Sequence, residues 1–277
     1  TTIPGYPVSA TYTKYLGGEV YTLPLLESNS FLPDLDSIPH AILKKSKALY
    51  LNYPNNPTGA TATTEFFKRV VDFAYRNGIA VIHDAPYSAL TYDGYTPLSF
   101  LSVDGAMDVG VEVHSLSKAF NMTGWRIGFV CGNPKAIKAY ATVKDNTDSG
   151  QFRAIQKAGI TALSNLHITE RTVEKYSRRF DLLVQALVES GFDAKKPKGS
   201  FYCYVKAPKG TELGDSFASA AEFSDYLIRK ALVSTVPWDD AGAYIRFSVT
   251  FEADSLEKEI EVLEELKKRL KKIRLIF

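Results

Sequence analysis

The sequence predicts an α/β fold, with a large part built on a mostly parallel sheet flanked by helices and a small C-terminal α+β part after it. Two observations lead there. Through the first two-thirds of the chain, short β-rich runs alternate with helical patterns, the rhythm of strands joined by crossover helices. Beyond that, consecutive helical patterns give way to a second set of strands, which marks a different architecture.

Glu19–Leu25 (EVYTLPL) is the first strand expected. Ala48–Tyr53 and Ile79–His83 are the next two. Between them Thr63–Asn77 reads as a helix, because Phe67, Val70, Val71 and Ala74 fall at helical spacing and Gly78 supplies the left-handed C-terminal position. Val109–Leu116 and Trp125–Cys131 complete the first set of strands. Ligands of such sheets bind beyond the carboxyl ends of the strands, so the polar residues that close these apolar runs matter most.

From Pro134 helices dominate: Pro134–Val143, Gln151–Leu163 and a long one over Thr169–Glu189, with Val173, Tyr176, Phe180, Leu183 and Leu187 along one side. Phe201–Val205, Val233–Val236 and Tyr244–Phe251 read as strands and Ala221–Ala231 as a helix. The last helix begins at Asp254, with Glu257 as a capping-box partner, and carries Leu256, Ile260, Leu263, Leu266 and Leu270 on one face. Its basic final turns suit the negative end of the helix dipole. The expected division is 1–165 for the large domain and 166–277 for the small one.

Composition narrows the classes of function. Of 277 residues, 45% are apolar and 23% charged, and 33 Lys+Arg against 31 Asp+Glu leave a formal charge of +2. That balance excludes collagen-like, mucin-like and disordered chains and argues against a nucleic-acid-binding protein. The length suits two domains, since single cores stop growing at roughly 250–300 residues. Two cysteines, Cys131 and Cys203, make no disulfide framework, which points to a reducing, cytoplasmic compartment. No apolar run approaches the ~18 residues of a membrane span. The opening Thr1-Thr2-Ile3-Pro4-Gly5-Tyr6-Pro7 has neither a Met nor an apolar or basic leader. It is no signal peptide and reads like a chain entered in its middle.

Four stretches carry chemistry. Tyr53-Pro54-Asn55-Asn56-Pro57-Thr58-Gly59 follows a strand and is, taken alone, a turn. His83-Asp84-Ala85-Pro86-Tyr87 closes a buried run with a carboxylate, which is costly there without a cationic or donor partner. Ser115-Leu116-Ser117-Lys118 follows another such run, and Arg126 lies eight residues on, between Gly124 and Gly128. A desolvated lysine becomes a nucleophilic amine able to form a Schiff base, and Ser115, Ser117 and Arg126 make a plausible phosphate site, with the glycines leaving room for close approach. Finally, Arg246 in Tyr244–Val249 sits in an alternating strand, as a bidentate carboxylate clamp or as an outward-facing residue. Nothing in the set calls for a metal.

Taken together, Asn-Pro-Thr-Gly, Asp-x-x-Tyr, Ser-x-x-Lys with its Arg, and a late strand Arg resemble the fold type I pyridoxal-phosphate aminotransferases of class I/II. The resemblance runs from Pro4 to the C-terminus. Asp148–Phe152 and Ser234–Gly242 narrow it towards the LL-diaminopimelate aminotransferase branch and its aspartate and aromatic relatives. It implies a transaminase of amino-acid metabolism, with lysine biosynthesis as its setting, that uses pyridoxal 5'-phosphate and acts as a homodimer. Lys118 would hold the cofactor covalently and move the substrate proton. Asp84 would pair with the ring nitrogen, Asn56 and Tyr87 with the ring oxygen, and Tyr6 would stack on the ring. Ser115, Ser117 and Arg126 would hold the phosphate, and Arg246, with Asn56, the substrate carboxylate. Asp148–Phe152 would lie near the subunit boundary. Trp238, Tyr12, Tyr15 and Tyr92 are further aromatic candidates for a side-chain pocket, with core or surface packing the commoner role for each.

The chain departs from the family pattern at Ile3 and Ser9, where an acidic residue and a second tyrosine are usual. The family's Gly-rich phosphate-cradling segment would precede Thr1. Residues 1–277 alone are therefore expected to bind the cofactor weakly and to dimerise imperfectly. Three other readings stay open on sequence: a β-lyase or cyclase of the same fold, the aminotransferase-like sensor domain of a transcription regulator, and an inactive fragment of an aminotransferase.

Overall fold

A computed structural model describes all 277 residues. In chain order it contains β1 (Thr2–Ile3), α1 (Val8–Tyr15), β2 (Leu23–Pro24), α2 (His40–Leu43), β3 (Ala48–Asn52), α3 (Thr64–Asn77), β4 (Ala80–Asp84), α4 (Ala106–Val109), β5 (Gly110–Ser115), α5 (Leu116–Ala119), β6 (Gly128–Gly132), α6 (Pro134–Asp145), α7 (Arg153–Leu163) and α8 (His167–Val188). These are followed by β7 (Tyr202–Lys206), β8 (Gly210–Thr211), α9 (Ala220–Tyr226), β9 (Val236–Trp238), β10 (Tyr244–Ser248), α10 (Leu256–Ile273) and β11 (Leu275–Ile276). The chain forms two compact units. Thr1–Asn56, Ala60–Val173 and Lys198–Ser200 make the first, and Pro57–Gly59, Glu174–Pro197 and Phe201–Phe277 the second. The division falls inside α8.

The first unit is built on a four-stranded sheet in the order β3-β4-β5-β6, with the first three strands parallel and β6 antiparallel. Helix α3 covers one face of it. Thr63 starts that helix by accepting the Phe66 amide at 3.1 Å, and Gly78 ends it at φ +61. Its buried residues, among them Phe67, Val70, Val71 and Ala74, pack with Leu49, Leu51, Val81 and Phe100. The segment Lys198–Ser200 returns to this unit, where Leu90 accepts the Ser200 amide and the buried Tyr92 hydroxyl donates to the Ser200 carbonyl at 2.6 Å.

Three strands are shorter than the sequence suggests. Of Glu19–Leu25 only Leu23–Pro24 pairs, in parallel with β1, with the Leu23 and Leu25 amides donating to the Thr1 and Ile3 carbonyls on either side of Pro24. Trp125–Cys131 yields Gly128–Gly132, since Thr123–Trp125 is a tight turn and Arg126 sits at φ +52. Tyr244–Phe251 ends at Ser248, where the next carbonyls turn to a buried guanidinium.

The second unit holds an antiparallel sheet in the order β7-β10-β9, the small pair β11-β8, and helices α9 and α10. Val233–Val236 is not a strand. Leu232, at φ +52, closes the helical segment, and pairing with β10 begins only at Val236. Helix α10 starts at Leu256, two residues later than expected, with Ser255 as its cap accepting the Lys258 amide at 3.2 Å. Its buried stripe is Glu259, Leu263, Leu270 and Ile273, whereas Leu256 and Ile260 are exposed. Leu263 and Leu270 of the expected face are buried, and the stripe is turned from Ile260 towards Glu259 because Glu259 pairs with two arginines of α8. Arg178 Nε and Arg179 Nε lie 2.9 Å from its carboxylate oxygens. Arg179, fully buried, also donates to the carbonyls of Val249, Phe251 and Ala253.

Removing Glu259 strands the Arg179 charge. Glu259→Ala should lower the unfolding free energy by about 3–5 kcal/mol, read from urea denaturation followed by circular dichroism.

Candidate active site

Three adjacent parallel strands end in polar residues: Asn52 on β3, Asp84 on β4 and Ser115 on β5. Parallel register sets Asn52 beside Asp84 and Asp84 beside Val113. Side chains alternate along a strand, so Tyr50, Asn52 and Asp84 share one face while His83, Glu112 and His114 occupy the other.

On the first face Asn52 acts as a strut. Its Nδ2 donates to the Asp84 carbonyl at 2.8 Å, and its Oδ1 accepts the Asn56 amide at 2.8 Å. The Asn56 turn is thus tied to the end of β4, and both asparagines are buried. Asp84 Oδ2 accepts the Tyr50 hydroxyl at 2.5 Å. Burial pushes the Asp84 carboxyl up from its ordinary value, against the Tyr50 hydrogen bond and the charges of His83 and His114. Burial, then Asp84, pushes the Tyr50 phenol up, and Tyr87 and Tyr6 lie near enough to add to the effect. The structure therefore gathers Tyr6, Tyr50, Tyr87 and Asp84. Tyr87 is buried, whereas Tyr6 is more than half exposed.

Ser115 caps the single turn α5 by accepting the Ser117 amide at 3.1 Å. Lys118 lies in that turn. Burial, then the neighbouring Arg126 cation, lowers its pKa and favours the neutral amine. Thr123 links Ser117 to Arg126: its hydroxyl donates to the Ser117 carbonyl at 3.0 Å, and its carbonyl accepts Arg126 Nη1 at 3.0 Å. The two glycines around Arg126 differ. A Cβ on Gly124 would meet nothing, whereas one on Gly128 would collide with the His114 carbonyl, so Gly128 serves the pairing of β5 with β6 and not a ligand.

Arg246 belongs to the second unit. It sits mid-strand on β10, opposite Tyr204 and Val236, with its guanidinium 3.8 Å from the centroid of the Tyr202 ring. Of the aromatic candidates, Tyr92 is core, Tyr12 and Tyr15 form an exposed edge-on pair, and Trp238 lies in β9. Asp239 caps α9 by accepting the amides of Ala220 and Ala221. Asp148 pairs with Lys144, and Phe152 is exposed.

The pattern of the class I and II aminotransferases matches residues 2–265. The chain belongs to that family. It is a pyridoxal-phosphate-dependent aminotransferase. Curated relatives include the LL-diaminopimelate aminotransferases of Methanococcus maripaludis (57% identical, covering 100% of this chain and 67% of the relative) and Methanocaldococcus jannaschii (58%, covering 100% and 68%). Among solved structures, substrate-bound BacF from Bacillus subtilis matches at TM-score 0.90 and 36% identity, covering 100% of this chain and 68% of that one. A single mutant of the Thermus thermophilus aspartate aminotransferase matches at 0.83 and 30%, covering 97% and 68%. The chain thus spans about two-thirds of the length of the relatives it matches.

The donor set of this aminotransferase suits its cofactor. A carboxylate with a single side-chain hydrogen bond, an amine of lowered pKa and an arginine tied through Thr123 to Ser117 have the chemistry to meet a cationic ring nitrogen, an aldehyde and a phosphate. Two groups of residues escaped the motif reading. Tyr50 and Asn52 lie inside a run read only as a strand, and their two-residue spacing at the strand's end was the available signal. The other group is on the opposite face. Glu112, buried, accepts from His83 Nδ1 (3.0 Å), His114 Nε2 (2.7 Å), Ser99 Oγ (3.0 Å) and the Phe100 amide (2.7 Å). His83 Nε2 is buried without a partner, which favours the tautomer with its proton on Nδ1.

Burial pushes the Glu112 carboxyl up, but the hydrogen bonds from His114 and His83 outweigh it and hold the group well below the usual range. A depressed folded-state pKa means that this stabilisation is full above the ordinary glutamate value of 4.5 and drains away as pH falls below it. Glu112→Gln should cost about 1–3 kcal/mol at neutral pH. The gap to wild type should narrow in urea melts run at progressively more acid pH.

Proposed function

We propose that the chain transfers an α-amino group from LL-diaminopimelate to 2-oxoglutarate, in lysine biosynthesis, as a cytoplasmic homodimer. The substrate assignment is supported by the names of the relatives at 57% and 58% identity. The observation that carries the site assignment is a pair of opposed shifts. Burial raises the Asp84 carboxyl, while burial and then the Arg126 cation lower the Lys118 amine, at and just beyond the ends of two adjacent strands.

Bound pyridoxal phosphate supplies an electrophilic aldehyde and a protonated ring that draws electrons from the substrate Cα. The chain's residues do the rest. Lys118 would hold the cofactor through its amine and, once the substrate amine had displaced it, would take the Cα proton and return it. Asp84 would keep the ring nitrogen protonated. Asn56 and Tyr87 would donate to the ring oxygen, and Tyr6 would cover the ring. Ser115 and Ser117 would donate to the phosphate and Arg126 would offset its charge. Arg246, with Asn56, would grip the substrate α-carboxylate and orient the Cα–H bond for transfer.

Mixing the protein with pyridoxal phosphate should give an absorbance band that Lys118→Ala abolishes; no band in the wild type would sink the assignment. With LL-diaminopimelate, aspartate and aromatic amino acids as donors, LL-diaminopimelate should give the highest rate of oxo-acid formation. Arg246→Ala should cost about 2–5 kcal/mol in kcat/KM, read from steady-state kinetics across that panel.

A further inference from the structure

We propose that Tyr50 is the positioning residue of the Asp84 carboxylate: it pins Oδ2 from the neighbouring strand and leaves Oδ1 to a cationic N–H donor. The inference rests on reading Asp84 as the partner of a protonated heteroaromatic nitrogen. It adds a residue that the recognisable motifs do not contain.

The geometry comes from the register of β3 and β4. Tyr50 faces Ile82, and Asn52 faces Asp84, so Tyr50 stands two residues back from the carboxylate on the same face of the sheet. Two residues of strand span roughly 6–7 Å, close to the reach of a tyrosine from Cα to hydroxyl. A serine is too short to cross that distance, and a phenylalanine has no hydroxyl to offer. The Tyr50 hydroxyl donates to Oδ2 at 2.5 Å, the only hydrogen bond to the Asp84 side chain. Asn52 Nδ2 holds the carbonyl of the same residue at 2.8 Å. Asp84 is therefore gripped at backbone and side chain by one strand. Without the phenol, the carboxyl could turn about its broad terminal torsion.

Charged and titratable groups surround this pair from each packed strand. His83 on β4 and His114 on β5 act on Asp84, and Tyr87 and Tyr6 act on Tyr50. Burial and the neighbouring carboxylate keep the phenol protonated, so it remains a donor at working pH.

A donor to the charged form favours that form. The test is a carbon-13 NMR titration of the aspartate carboxyls in cofactor-free protein, with Asp84→Asn assigning the resonance. Tyr50→Phe, which keeps the ring, should raise the Asp84 midpoint by about one pH unit; an unchanged midpoint in a folded variant would overturn the proposal. Should Tyr50→Phe fail to fold, 3-fluorotyrosine placed at position 50 is a stronger donor and should lower the midpoint, and no change would again overturn it. The cofactor arm separates this from the broader reading. If the pyridoxal-phosphate spectrum of the Asp84→Asn variant matched wild type while Tyr50→Phe still moved the midpoint, the role of Asp84 would fall and the hold of Tyr50 would stand.

Discussion

The parallel register that sets Asn52 beside Asp84 is the constraint on which the rest of the site depends. A strand's side chains alternate, so a slip of one residue would send every one of them to the opposite face. In the observed register Tyr50 and Asn52 reach Asp84, and Leu49 and Leu51 face α3. Burying the apolar face thus fixes the polar one: the packing of Phe67 and Val70 on β3 and β4 holds the Asn56 turn against the end of β4. The site's precision is borrowed from a core that contains none of its chemistry.

The two carboxylates of this sheet show how one environment yields two outcomes. Glu112 and Asp84 lie on adjacent strands, and burial pushes both upward. Glu112 collects donors from two histidines, a serine and a backbone amide, so it ends well below the usual range. Asp84 has one side-chain donor and stays raised. A carboxylate whose donors are supplied by the fold serves the fold, whereas one left short of donors retains a demand for an external cation.

What was legible in the sequence follows the same division. The helix Thr64–Asn77, its Thr63 cap and its Gly78 stop announce themselves through local chemistry, and so do the motif residues at the ends of β3, β4 and β5. The departure at the start of the α10 face came from treating Ile260 as apolar and Glu259 as polar, which is true of each residue alone. Only the arginines of α8, about 80 residues earlier, make Glu259 the buried one. Tyr50 was missed for a related reason. A tyrosine in a strand looks like packing until the register with the next strand is known.

Buried charge is therefore a poor guide to function until its partners are counted. Arg179 is more deeply buried than Lys118, yet it spends its donors on Glu259 and on the carbonyls of Val249, Phe251 and Ala253. Those bonds replace strand pairing where β10 ends, so the charge substitutes for backbone structure. At Lys118, burial first and then the neighbouring Arg126 cation lower the pKa of the amine. Under the proposed reading a lowered pKa suits an amine that has to react as a nucleophile, and the count of side-chain donors likewise sets Asp84 apart from Glu112 one strand away.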